Sequence, residues 1–326
     1  MPQSTEPRST ERQDAELQAS KPSMQANDAM SPPSHYEAIK EQALDCMREG
    51  RLREALSLFD RALALAGELG DSNLVDRALC NRCRVAIELG SSRRELGELG
   101  KVLLRNRDPE IRFLAAYNLT RAHLLRKDAD KALFYGGVAR QEGERAGKAG
   151  LVSAAHNGIG LALLASSYFE QAEAEFEQAL GMLPEDHRRR RAVILDNYGY
   201  CKIIRGSVPE GFQALFESLR TLCRTGELWF EMITRVSLCF AYLEVDKYRA
   251  ALRHGRRALE MAERFEDRST QKSALFLLGE AAKLAGDDFG ARRYFSRLQE
   301  VYYPDADYLP DMLMVVDARS MVNLKA

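Results

Sequence analysis

The sequence predicts an all-α protein, an α-solenoid of about seven helical hairpins followed by a C-terminal capping helix. Three observations predict it. From Tyr36 onward, apolar residues recur with the period of an α-helix, and there is hardly any strand pattern. Turn positions recur every 37 to 40 residues. Small residues recur at a fixed distance after each turn, as expected where two helices pack closely.

The first segment, residues 1–34, differs from the rest of the chain. It is rich in Ser, Gln, Pro and charged residues and contains almost no large apolar residue. Such a segment cannot bury enough apolar surface to offset the entropy lost on ordering. We therefore expect a disordered tail over 1–34, ending at Pro32-Pro33, with the solenoid over 35–309.

The hairpins align in four columns. The turn between the two helices of each hairpin is predicted at Gly50, Gly90, Lys127, Ser167, Gly206, Asp246 and Gly286. Five residues later comes a small residue, with Glu95 as the exception: Ala55, Glu95, Ala132, Ala172, Gly211, Ala251 and Ala291. Seven beyond these come Ala62, Val102, Ala139, Ala179, Ser218, Ala258 and Leu298. Between them lie Phe59, Leu99, Gly136, Phe176, Leu215, Gly255 and Phe295. The last three columns are one helix face and predict a buried stripe.

The sequence also indicates where some of the helices begin. Asp108-Pro109 places an N-cap residue before a proline at the first helical position. Thr225 and either Ser269 or Thr270 are candidate caps for the first helices of units six and seven. After Pro310, apolar residues continue with helical period, so residues 310–326 are predicted to form a capping helix over the last hairpin.

The fourth unit carries the pattern most fully, with Gly160 in the first helix, then Ala172, Phe176, Ala179 and a closing Pro184. This pattern resembles the tetratricopeptide repeat family over about residues 36–309. The resemblance implies a right-handed superhelix whose concave wall is lined by the first helices. The period near 40 is longer than the usual 34. Repeats of this length are similar to those of kinesin light chains and of bacterial regulators that sense signalling peptides. Unlike those regulators, this sequence has no DNA-binding helix-turn-helix before the repeats.

A candidate peptide-binding groove follows from the first helices. Nine residues before the turn lie Asn81, Asn118 and Asn197, and Asn157 lies one residue out of register. An asparagine amide both donates and accepts hydrogen bonds, so a row of them can pair with the backbone of an extended peptide; similar asparagine ladders do this in related repeat proteins. The alternative is that these amides cap or bridge neighbouring helices.

A second row adds to the candidate groove. Three residues after the asparagine column the sequence has Arg84, Arg121, Tyr200 and Phe240. Residues three apart share a helix face, so this wall would be basic in the early units and aromatic in the middle ones. Such a wall suits a partner with an acidic end and an apolar end. The alternative is that Tyr200 and Phe240 belong to the core between repeats.

Composition and motifs narrow the function classes. The formal net charge of −1 gives no global basic field for nucleic acid. No apolar run is long enough to span a bilayer, and the N-terminus has no signal pattern, so we expect a cytoplasmic protein without membrane insertion. The six cysteines lie in helical patterns and indicate a reducing compartment. Cys80 and Cys83 form a CxxC inside a helix without further ligands, so neither a metal nor any other cofactor is expected.

The sequence therefore favours a non-catalytic scaffold or sensor that binds a peptide or protein segment in the concave groove. No nucleotide, hydrolase or metalloprotease motif occurs in a suitable context. An alternative is binding of an anionic partner or nucleic acid through the basic run Arg188–Arg191, although a solvated face is the simpler interpretation. Self-association through the terminal helix is a further possibility.

Overall fold

The computed structural model describes residues 32–90, 93–184 and 186–318. In these residues fourteen helices pair into seven hairpins and a fifteenth follows them. Hairpins 1 to 4 are α1 Pro32–Arg48 with α2 Leu52–Leu69, α3 Ser72–Glu88 with α4 Arg93–Arg105, α5 Pro109–Leu125 with α6 Ala129–Arg145, and α7 Ala149–Ala165 with α8 Phe169–Gly181. Hairpins 5 to 7 are α9 Arg188–Ile204 with α10 Val208–Thr225, α11 Leu228–Glu244 with α12 Tyr248–Arg264, and α13 Arg268–Leu284 with α14 Asp288–Tyr302; the last helix is α15 Leu309–Val315.

All seven predicted turn residues have a left-handed backbone, with φ between 58° and 91°. Four of them are glycines, which adopt this conformation without a steric penalty. Lys127, Ser167 and Asp246 adopt it with a side chain, at a cost of about 1–2 kcal/mol each. The shared conformation confirms the repeat register, because only the period, and not the residue type, identified these three positions.

The three packing columns of the second helices are buried at all seven units. Glu95, the one charged residue in them, is only 2% exposed and lies in α4 opposite α3. Its Oε1 is 3.5 Å from Nη1 of Arg82, so an ion pair stabilises a carboxylate where the other units have a small residue.

Two hairpins show why the first helix needs a small residue. A Cβ atom added to Gly160 would lie 2.6 Å from the ring of Phe176, and one added to Gly279 would lie 2.2 Å from the ring of Phe295. Both rings are fully buried, so neither can move aside. Glycine on α7 and α13 therefore allows an aromatic side chain of the following helix to pack against the backbone.

The two ends of the solenoid differ from the sequence prediction. Helix α1 begins at Pro32, three residues inside the predicted tail, because prolines are tolerated in the first turn of a helix; the rest of that tail, residues 1–31, lies outside the described residues. Helix α15 ends at Val315 and residues 316–318 are not helical, whereas the predicted helix continues through them; its last part, residues 319–326, lies outside the described residues. Nζ of Lys283 donates to the carbonyls of Leu313 (2.7 Å) and Val316 (2.9 Å), which holds α15 against hairpin 7.

One of the predicted caps is confirmed and the others are wrong. Asp108 caps α5 by accepting a hydrogen bond from the Glu110 amide at 2.8 Å. Thr225 is instead the last residue of α10. The cap of α13 is Asp267, whose carboxylate accepts from the Thr270 amide at 3.0 Å. A carboxylate two or three residues earlier in the chain reaches the free amides of the first turn, so it takes the role expected of Ser269 or Thr270.

The solenoid curves until its first hairpin touches its sixth. Arg53 pairs with Glu266 at 3.1 Å, and Arg48 lies 3.7 Å from Glu227. The Gly50 turn lies so close to Phe265 that a Cβ on Gly50 would be 2.6 Å from the ring. First helices of consecutive hairpins contact one another from α3 to α13, so they form the inner wall of this curve. Among the described helices none has the length and apolar character needed to cross a membrane.

Candidate binding cavity

A cavity of about 1340 Å³ occupies the concave side. Its wall is formed by the inner helices α3, α5, α7, α9, α11 and α13, its rim by the α1–α2 and α12–α13 turns. We call this space the central cavity. Small-molecule sites commonly enclose about 300–1,000 Å³. The central cavity is larger and spans several repeats, which are the dimensions of a site for an extended ligand.

The structure brings five of the eight predicted groove residues to the central cavity: Arg84, Arg121, Asn157, Asn197 and Tyr200. It places the other three elsewhere: Asn81, Asn118 and Phe240. The five come from four consecutive hairpins. The predicted face of the first helices is therefore the cavity wall, although only part of each column reaches its surface.

The asparagine amides link neighbouring inner helices. Asn118 is 3% exposed, and its Nδ2 donates to the carbonyl of Cys80 on α3 at 2.8 Å. Asn197 on α9 donates through Nδ2 to Oδ1 of Asn157 on α7 at 2.9 Å. Asn118 thus bridges helices, as the alternative interpretation of the column requires. The Asn157–Asn197 pair makes a similar bridge, but at the cavity wall.

The two aromatic residues of the second row pack against each other. Tyr200 is 1% exposed and Phe240 is 8% exposed, and their ring centroids are 4.9 Å apart. They join α9 of hairpin 5 to α11 of hairpin 6. This burial supports the alternative that both rings are core between repeats. Tyr200 lies at the boundary of the central cavity, and Phe240 does not reach it.

The basic part of the wall contains one paired and one unpaired arginine. Arg121 donates to Glu88 through Nε at 3.0 Å and through Nη2. The charge of Glu88 raises the pKa of Arg121. Arg84 occupies the equivalent position one hairpin earlier, and its Nε is buried without a hydrogen-bond partner.

The contact that closes the curve joins residues that no sequence pattern connects. The ring of Trp229 lies 6.2 Å from that of Phe265, and Trp229 also packs on the apolar cluster of hairpin 1. Glu227 is 3% exposed between Arg48 and Arg189, and burial raises the pKa of its carboxyl group. No periodic signal marks these residues, because they join hairpins far apart in the chain.

The basic run at the start of α9 is largely occupied by contacts within the protein. Arg189 pairs with Glu227 at 2.9 Å, and Arg191 lies 3.7 Å from Glu217. Arg190 donates through Nη1 to the carbonyl of Gly150 at 3.3 Å. Three of the four arginines therefore stabilise packing between helices, and the run does not form a continuous unpaired basic surface for nucleic acid.

The CxxC cysteines are buried thiols. Cys80 and Cys83 lie inside α3, and burial raises the pKa of Cys83 to about 12 and that of Cys80 further. A thiol with such a pKa is a poor nucleophile and a poor metal ligand at neutral pH. In residues 32–90, 93–184 and 186–318 no group of three or more His, Cys, Asp or Glu side chains is arranged to hold a metal ion.

No family model and no curated protein sequence matches the chain. Solved structures do match. A Rap protein complexed with competence and sporulation factor is 13% identical, with a TM-score of 0.65 over 86% of this chain and 79% of that chain. The apo form of RapI is 10% identical, with a TM-score of 0.53 over 88% and 84%. A tetratricopeptide repeat protein from Parabacteroides merdae is 15% identical, with a TM-score of 0.50 over 88% and 99%. The chain therefore has a tetratricopeptide-like repeat fold.

Proposed function

We propose that this tetratricopeptide-like solenoid is an interaction protein that binds an extended peptide or protein segment in the central cavity without chemically changing it. The observation that carries the proposal is the cavity itself. It is enclosed by six inner helices and closed by the contact between hairpins 1 and 6, and it is larger than a small-molecule site requires.

The wall chemistry supports such a ligand. Asn157 and Asn197 supply amide groups for a peptide backbone, and Leu161 and Trp229 supply apolar surface near them. The structurally similar Rap protein was solved as a complex with competence and sporulation factor. We extend to this chain only the idea that the concave side receives a ligand. Asn118, Tyr200 and Phe240 act indirectly in this proposal, by holding the inner helices in place.

Filling the cavity tests the proposal. Leu161 is a half-buried residue of α7 on the cavity wall, so Leu161→Trp narrows the site from within. Leu104 on α4 is 86% exposed and outside the cavity, so Leu104→Trp is the matched control. Partners are captured from native lysate on wild type and both variants and identified by mass spectrometry.

We expect one partner to be retained by wild type and by L104W and to be lost with L161W. Circular dichroism of L161W must show the wild-type helical signal, so that loss of binding reflects the filled cavity. A partner that L161W retains as well as wild type would contradict the proposal and move the interface to the outer helices.

A further inference from the structure

The central cavity contains an arginine, Arg84, that forms no ion pair with the described residues. Arg84 lies on α3 at the wall, among Arg121, Arg189, Tyr117 and Glu88. Its Nε is buried and has no hydrogen-bond partner. None of the ion pairs formed by the described residues includes Arg84. A guanidinium group stays protonated even when it is buried, so Arg84 cannot avoid the cost of an unpaired charge by losing its proton.

The nearby carboxylates are already engaged. Glu88 accepts the hydrogen bonds of Arg121, and Glu227 is held between Arg189 and Arg48. Neither of these two carboxylates forms an ion pair with Arg84. Burial, and then the charge of Arg121, lowers the pKa of Arg84, which is the direction expected for a cation without a counter-charge.

The other arginines of the cavity lining show the contrast. Arg51 pairs with Glu49 and Glu54, and Arg53 pairs with Glu266, all at the exposed rim. Arg264 and Arg268 have no carboxylate partner among the described residues, but both side chains are exposed to solvent. An uncompensated buried charge is destabilising, whereas an exposed pair costs little. Arg84 is the arginine of this lining for which an added anion would satisfy both the charge and the unpaired Nε donor.

We propose that Arg84, with Arg121 beside it, binds a carboxylate of the peptide ligand. This inference rests on the proposed function. The planar guanidinium can donate two parallel hydrogen bonds to a carboxylate, which gives strength and orientation. Tyr117 and Leu161 lie on the neighbouring inner helices α5 and α7, so apolar ligand groups next to the carboxylate would contact them. Either the C-terminal carboxylate or an Asp or Glu side chain of the ligand supplies the same chemistry.

The test uses synthetic peptide pools on the full chain. Three pools of N-acetylated octapeptides share the same randomised apolar and polar positions. The first has a free C-terminal carboxylate and no acidic side chain, the second a C-terminal amide and one Glu, and the third an amide and no acid. Retention is measured by gel filtration and mass spectrometry for wild type, R84M, R84K and R220M. Arg220 is an exposed arginine on α10 and is the matched control.

We expect wild type and R220M to retain one of the acid-bearing pools about tenfold more than the neutral pool, which is the gain of a charge-assisted pair. The pool retained identifies the source of the carboxylate. R84M loses the preference, and R84K keeps part of it. Equal retention of all pools by wild type, or an unchanged preference in R84M, overturns the carboxylate site but leaves peptide binding standing. Retention of no pool by wild type overturns both.

A second measurement separates a ligand site from a structural contact. If Arg84 is an uncompensated charge in the free protein, R84M must raise the melting temperature, although most buried substitutions lower it. R220M must leave it unchanged. A melting temperature of R84M at or below that of wild type means that Arg84 has a stabilising partner inside the protein, and overturns the proposal.

Discussion

The interior of the hairpins and the wall of the central cavity follow opposite rules. In the interior, the same position has the same role in every repeat, and all seven members of each packing column are buried. On the wall, equivalent positions have different roles. Asn118 bonds to a backbone carbonyl, while Asn197 bonds to another asparagine. Arg121 has a carboxylate partner, while Arg84 has none.

The difference follows from what each region must satisfy. Stacking requires that every hairpin offer the same surface to its neighbours, so interior positions repeat. A ligand in the cavity touches several hairpins at once, each at a different part of the ligand, so wall positions diverge. Substitutions in the interior should therefore change stability, and substitutions on the wall should change binding more than stability.

The largest effect is expected in the interior of hairpin 4. Phe176→Ala removes a fully buried ring that packs against Gly160, and should reduce the free energy of unfolding by about 3–5 kcal/mol. Phe134 is 64% exposed on α6, and Phe134→Ala should change it by less than about 0.5 kcal/mol. Urea denaturation followed by circular dichroism measures both. Similar losses in the two variants would refute the distinction between interior and surface.

Smaller changes in the free energy of unfolding, of opposite sign, are expected when two glycines are replaced by alanine. At Gly279 a Cβ would lie 2.2 Å from the buried ring of Phe295, so Gly279→Ala should destabilise by about 1–3 kcal/mol. Gly97 lies in the exposed face of α4 with nothing within 4 Å of an added Cβ, so Gly97→Ala should stabilise by about 0.5–1 kcal/mol. Stabilisation by both substitutions would mean that hairpin 7 is loosely packed.

The repeating part of the fold was predictable because a repeat supplies seven examples of each position. The period located the left-handed turn residues Lys127, Ser167 and Asp246, whose residue types alone predict nothing of the kind. Single features were less predictable. Thr225 was expected as a cap, but α11 begins after Glu227, because a helix end depends on local competition among several residues that no column averages.

For the cavity, the sequence predicts only which face of the first helices forms its wall. The helical period identified the inner side of the first helices, and five of eight residues reach the cavity from it. The period could not show how deeply Asn118 or Phe240 is buried, because that depends on the curvature of the whole solenoid. For the same reason it could not show the closing contact between Gly50 and Phe265, which belong to hairpins 1 and 6.

The contact between Gly50 and Phe265 allows a further comparison, between two turn residues at equivalent positions of different hairpins. Gly50 and Gly206 are the turn residues of hairpins 1 and 5, with φ of 78° and 83°. Alanine at either position costs about 1–2 kcal/mol of backbone strain. Only at Gly50 does the new Cβ also meet Phe265, at 2.6 Å, whereas Gly206 has nothing within 4 Å. We expect Gly50→Ala, unlike Gly206→Ala, to open the cavity.

Hydrogen exchange of α1, α11 and the α12–α13 turn measures the opening. In G50A these segments should exchange faster, while G206A should show faster exchange only near its own turn. Equal exchange in α11 for the two variants would indicate that the Gly50–Phe265 contact does not hold the solenoid closed.

The smallest effect concerns a buried histidine, whose side chain can lose its positive charge. His254 on α12 is buried, stacks on Tyr242 at 5.5 Å and has no hydrogen-bond partner at Nδ1. Burial, with the charges of Arg235 and Arg253, lowers the pKa of His254 to about 4. The unfolded chain binds this proton near pH 6.5, and the folded protein does so only near pH 4. Stability is therefore lost as the pH falls from about 6.5 towards 4.

Between pH 7 and pH 5.5 this group should remove about 1 kcal/mol of the free energy of unfolding, and His254→Gln should abolish that part of the pH dependence. His35→Gln, at an exposed histidine of α1, is the matched control, and urea denaturation at the two pH values measures each slope. A slope in H254Q equal to that of wild type would show that His254 does not titrate in this range. The contrast with Arg84 is chemical. An imidazole in the interior becomes neutral and needs no partner, whereas a guanidinium on the wall stays charged, so only an anion from outside can complete it.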